Sequence, residues 1–139
     1  MFGTSAFASN AYRRVAAESA ALGADRHQLI ALLFAAATAS IGQARAALAR
    51  RDVAAKAAAS SKALRLVDEG LKVAVDRSVQ PMGESLYQLY DYCARRLLHA
   101  HLKHDDAAYA EVASLIGQVQ AAWAEIDPNG APKAVPRAA

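Results

Sequence analysis

The sequence predicts an all-α fold, an antiparallel up-down four-helix bundle with a short N-terminal segment packing as a cap, and three observations predict it. Apolar residues recur at steps of three and four, the apolar–polar alternation of strands is nearly absent, and breakers and caps divide the chain into long segments with short connections. Each segment holds about 20 to 26 residues, or about 30 to 39 Å at about 1.5 Å per residue, so short connections force neighbours to run antiparallel.

The first helix is expected from about Asp25 to Arg50. Asp25 is a candidate N-cap and Gln28, three residues on, completes a capping box before the apolar run Leu29, Ile30, Leu32, Leu33 and Phe34. The second begins after Asp52, with a seam expected at Val53, Ala57, Ser60, Leu64, Val67, Leu71 and Ala74. Gln80 and Pro81 interrupt it, and Pro81 suits the start of a third helix because its missing N–H would have had no intrahelical partner there. That helix runs to about His104, and the fourth starts at Asp105 or Asp106 with Tyr109, Val112, Ile116, Val119, Trp123 and Ile126 on one face before Pro128 ends it. The expected organisation is an arm or cap over 1–24, a bundle over 25–127 and a flexible tail over 128–139, where three of the four prolines fall.

Composition narrows the function. Hydrophobic residues make up 55% of the chain, much of it alanine, which favours helix and supplies little apolar area, so a sparse set of large residues must form the core. The lone Cys93 cannot form an intramolecular disulfide and suits a reducing, cytoplasmic setting. No signal peptide is evident, and the run from Leu29 to Ala37 is short for a bilayer span, so no membrane insertion is expected. The net charge of +3 comes from basic residues scattered among 13 acidic ones, which argues against a nucleic-acid partner.

An enzyme would need a nucleophile with its base, a metal cluster or a phosphate loop. Gly70, Gly83 and Gly117 are isolated, so they build no phosphate nest. His101, His104 and Asp105 have a spacing open to a metal, but histidines at a helix end also complement the dipole, and the expectation is no metal, no catalytic residue and no cofactor. Cys93, His99 and Asp91 diverge around one helix.

The segment "LYQLYDYCARRLLHAHLKHD" (86–105) is the most informative. Leu86, Leu89, Cys93, Leu97 and Ala100 form a seam, and a second stripe of Tyr87, Tyr90, Ala94, Leu98 and His101 lies beside it. Either the helix simply touches two neighbours, or the surplus is a groove for a partner segment; Leu66 and Val73, off the seam of the second helix, belong to the same groove. The groove set is Leu66, Val73, Tyr87, Tyr90 and Leu98.

Several stretches together resemble a known family, the FliS-type flagellin export chaperones. "NAYRRV" (10–15) is similar to its N-terminal tyrosine motif, "HQLIALLF" (27–34) to its first long helix and "SKALRLVDEGLK" (61–72) to its second. The 86–105 segment resembles its tyrosine run with paired arginines, and "AAWAEI" (121–126) its closing tryptophan segment. The chain departs from the pattern at Ala35 and Ala36, which follow Phe34 in place of an acidic residue and a glycine. The resemblance implies an ATP-independent cytoplasmic chaperone that binds the C-terminal segment of flagellin, prevents premature polymerisation and serves the flagellar export apparatus. It further implies that Tyr12 and Val15 belong to an arm that covers the binding surface. A helical nucleic-acid-binding module and a self-associating bundle, including a homodimer, are the competing readings.

Overall fold

The computed structural model describes residues 26–126. The expected cap at Asp25, the arm with Tyr12 and Val15, and the tail over 128–139 lie outside the described residues.

Four helices follow one another: α1 (Arg26–Ala49), α2 (Val53–Arg65, continued by a π-helical turn, Leu66–Leu71), α3 (Met82–Lys103) and α4 (Asp106–Ala124). The expected caps set two starts. Asp52 accepts a hydrogen bond from the Ala55 N–H at 3.0 Å, and Asp105 accepts one from the Ala108 N–H at 3.3 Å, each satisfying a donor that has no partner inside its helix. Pro81 immediately precedes α3 without a side-chain cap bond. At its other end α3 stops at His104, whose left-handed backbone (φ 52°, ψ 44°) turns its N–H back to the Ala100 carbonyl.

Each helix packs against its neighbours in sequence, and α4 closes the ring on α1. Polar contacts record the antiparallel order. Early α1 meets late α4 at His27 and Trp123, whereas late α1 meets early α4 where Arg45 grips Asp106 at 2.9 Å. The core runs along the axis: Ile30, Leu33, Phe34, Ala37, Ile41 and Ala44 from α1, Ala63, Val67 and Leu71 from the second segment, Tyr90, Cys93, Leu97 and Ala100 from α3, and Tyr109, Val112 and Ile116 from α4. Phe34 and Tyr90 meet as tilted rings 6.4 Å apart, a geometry that contributes about 0.5–1.5 kcal/mol beyond area burial. By length and composition α1 could also cross a membrane; in this fold its apolar row is core.

The seam of α2 differs from the spacing expectation. Val53, its expected first member, is 63% exposed, whereas Lys56, Ala59, Ala63 and Leu66 are buried beside Ser60, Val67 and Leu71. Two causes combine. Alanines make much of the contact with α1, so side-chain size does not mark the buried row. The π turn, closed by the Lys72 N–H bonding the Val67 carbonyl at 2.9 Å, adds a residue per turn and brings Leu66, Val67, Gly70 and Leu71 inward together.

After the π turn the chain folds back tightly onto the first turn of α3. The Gly83 N–H donates to the Val79 carbonyl at 2.6 Å, and a β-carbon at Gly83 would run into the Asp76 carbonyl. Glycine is required there by the close approach of two backbones.

Candidate functional site

The groove residues separate into two depths. Val73 is 69% exposed, Leu98 is 47% exposed and Tyr87 is half-buried, whereas Tyr90 and Leu66 are buried in the core. Tyr90 faces Phe34 across the bundle, and burial raises its phenol well above the ordinary value. In this conformation the bundle consumes Tyr90 and Leu66, and Val73, Tyr87 and Leu98 are the members open to a partner.

Tyr87 is held in place by charge. The Arg77 guanidinium lies 3.9 Å from its ring centroid and the Lys72 ammonium 5.4 Å away, cation–π distances that fix the ring. Lys72 also joins Asp68 at 2.5 Å and Asp91 at 3.2 Å, linking the π turn to α3, and the bond to Asp68 leads the causes that raise its pKa. Asp91 in turn takes Arg95 at 3.2 Å, and Arg77 takes Glu84 at 2.9 Å. The exposed Val73 and Leu98 and the half-buried Tyr87 thus share this surface with paired charges.

A cleft adjoins it at the end of the bundle where α1 begins and α4 finishes. Ile30, Leu71, Val75, Leu86, Tyr90 and Trp123 line it, with a volume of about 170 Å³. On its rim Met82 is 68% exposed and Val79 is 54% exposed. Trp123 stacks on His27 at 4.8 Å and donates its indole N–H to the His27 carbonyl at 3.0 Å, while His27 Nε2 donates to the Trp123 carbonyl at 2.9 Å. Arg26 clamps the same end by donating to the Ala74 carbonyl. Spacing did not single out Met82, Val79 or the exposed Leu102, although an apolar residue directly behind Pro81 was a usable signal for Met82.

No reactive centre assembles from the groups weighed for chemistry. Cys93 is wholly buried, and burial pushes its thiol up to about 12, which removes the thiolate a nucleophile needs. His99 turns to Asp105 at 3.4 Å, and His104 Nδ1 meets the Lys56 ammonium at 2.6 Å. Among the described residues no group of three His, Cys, Asp or Glu side chains converges to hold a metal ion. What the surface can do is bind an apolar or amphipathic segment.

Comparison with known proteins agrees with the sequence motifs. The family described as "Flagellar protein FliS" matches residues 8–130. The flagellar secretion chaperone FliS of Salmonella typhimurium is 42% identical over 120 residues, covering 86% of this chain and 89% of that protein. Its Escherichia coli counterpart is 32% identical over 118 residues, 84% of this chain and 87% of that protein. The flagellar secretion chaperone FliSB of Pseudomonas aeruginosa is 32% identical over 114 residues, 81% and 89% of the two chains.

Proposed function

The chain belongs to the FliS family of flagellar secretion chaperones, and from that premise we propose that it holds the C-terminal segment of flagellin against its α2–α3 face in the cytoplasm. Held there, flagellin stays unpolymerised and available to the flagellar export apparatus. The observation that carries this reading is the surplus apolar surface on and beside α3. Val73, Val79, Met82, Leu98 and Leu102 are each about half exposed or more while the bundle closes its core without them.

The mechanism is association without bond-making. A disordered amphipathic segment gains affinity by burying its apolar face against such a strip and loses conformational entropy as it orders, which leaves the complex tight enough to prevent polymerisation and reversible enough to release. Tyr87, pre-positioned by Arg77 and Lys72, offers a ring with little freedom left to lose. Leu66 and Tyr90 support the strip from beneath. The arm with Tyr12 and Val15 acts as a cover that competes with the client for the strip.

Calorimetric titration of the full chain with a synthetic flagellin C-terminal peptide tests the proposal. The wild type binds; Leu98→Asp weakens binding by about tenfold or more, since a buried unpaired carboxylate costs over about 1.4 kcal/mol; and Tyr12→Asp alters affinity by freeing the strip. Absence of peptide binding by the wild type, or identical affinity in Leu98→Asp, would refute the proposal.

A further inference from the structure

Among the described residues Lys56 is the one Lys, Arg, His, Asp or Glu side chain buried in the core, at 1% exposure. Its stem reaches from the first turns of α2 to the end of α3, where the ammonium donates to the His101 carbonyl at 2.8 Å and to His104 Nδ1 at 2.6 Å. That carbonyl lies in the last turn of α3, where intrahelical donors run out. An Nδ1 that accepts a bond from an ammonium carries no proton. Nearby, His101 Nδ1 is buried without a hydrogen-bond partner.

We propose that this corner is a pH-sensitive latch: Lys56 fastens the α3–α4 turn to α2 only while the imidazoles of His104 and His101 are unprotonated.

Protonating His104 removes the lone pair that Lys56 uses and sets a second cation at hydrogen-bond distance from the first. Protonating His101 adds a further cation. Its pKa is lowered from 6.5 by burial first, then by Lys56 and His104. A histidine with a depressed folded pKa binds fewer protons folded than unfolded, so stability is lost as pH falls through 6.5 toward the folded value.

The surroundings offer little compensation. Arg51 and Asp52 from the α1–α2 turn line the cleft of about 360 Å³ beside Lys56 and His104, with Ala47 and Leu48 from α1 and Val53 from α2. Asp52 caps α2 and pairs with Arg50 at 3.6 Å. From the start of α4, Asp105 caps its own helix and faces His99, and the Tyr109 hydroxyl is engaged with Ser60 at 2.6 Å. The nearby carboxylates are thus committed, and mild acid opens the corner and widens this cleft.

Amide hydrogen exchange of the full chain between about pH 7.5 and about pH 5.5, corrected for intrinsic rates, tests the latch. Opening at the corner, Ala100 to Ala108, becomes more frequent at the lower pH, by up to about tenfold, because the opened chain takes a proton at an ordinary imidazole that the closed corner excludes, while the middle of α1 changes less. His104→Asn keeps an acceptor, tolerates the left-handed backbone and cannot take the proton, so it removes the part of this increase that His104 contributes. Lys56→Met, which leaves no ammonium to repel, also reduces it where that variant folds, with burial of His101 supplying the remainder; where it does not fold, His104→Asn decides alone. Full retention of the increase in His104→Asn, its absence in the wild type, or its loss in His99→Gln would each overturn the latch.

Discussion

Cys93 lies midway along α3 with no exposed surface, packed in the layer that also holds Tyr90 and Leu97. Burial pushes its pKa from 9.0 up to about 12, because the thiolate would lose hydration with no cation to replace it. The chemical consequence is inertness. In the folded protein at about pH 8, where an ordinary thiol is partly ionised, an aromatic disulfide reagent labels Cys93 only as fast as the bundle opens. The same chain in urea reacts at once. Immediate stoichiometric labelling without denaturant would contradict the burial. The sign on stability also follows: a thiol whose folded pKa is raised lets the unfolded chain ionise first, so stability declines as pH rises above 9.0. Lys56 shows the opposite economy of the same solvent effect. Burial lowers its pKa, and the two bonds at the end of α3 are what hold it inside.

Along α3, neighbouring positions have separate duties. Tyr90 fills the space opposite Phe34, so Tyr90→Ala leaves a cavity and lowers stability by about 3–5 kcal/mol, the range for deleting a buried aromatic. Leu98, two turns on and 47% exposed, lies at the surface, and Leu98→Asp changes stability by less than about 1 kcal/mol. Urea midpoints of the two variants give the comparison, and similar losses in both would place Leu98 in the core. This separation marks the limit of what spacing conveys. Caps, breakers and the three-four rhythm made the starts of α2 and α4 and the end of α3 legible: Asp52 and Asp105 are caps, and α4 buries Tyr109, Val112 and Ile116 as expected, whereas the second helix stops at Leu71, well before the expected interruption at Gln80 and Pro81. The division of an apolar face into core and surface was not legible. A helix touching two neighbours buries a wide arc, so Tyr90 and Ala94, read as a second stripe, lie inside with the seam. In α2 the buried row is drawn in alanine and a lysine stem, and the π turn shifts its phase. Lys56 itself carries no local pattern signal, since its burial depends on a carbonyl and an imidazole that are 45 and 48 residues away.

For the whole molecule the distribution of charge decides what kind of partner binds well. The net charge is +3, yet the cations around the exposed strip are committed: Lys72 to Asp68 and Asp91, Arg95 to Asp91, and Arg77 to Glu84. Ion pairs this exposed contribute little to stability, but they neutralise the border of the strip and leave the apolar side chains to supply the affinity. If the strip captures a flagellin segment as proposed, the binding is expected to tolerate salt. Raising the salt from about 50 to about 200 mM changes its dissociation constant by less than about threefold, whereas a protein holding six or more phosphates loses about a thousandfold or more over that interval. Fluorescence anisotropy of a labelled flagellin peptide across that series measures the slope, and sedimentation at each salt excludes self-association as the source of the signal. A steep loss of affinity would assign the binding to charge and favour a polyanionic partner. A concentration-dependent mass without peptide would favour self-association, because the strip would then be occupied by a second copy. A shallow slope with monomeric protein leaves apolar burial by Val73, Tyr87, Met82, Leu98 and Leu102 as the source of affinity, as their exposure in the free chain requires.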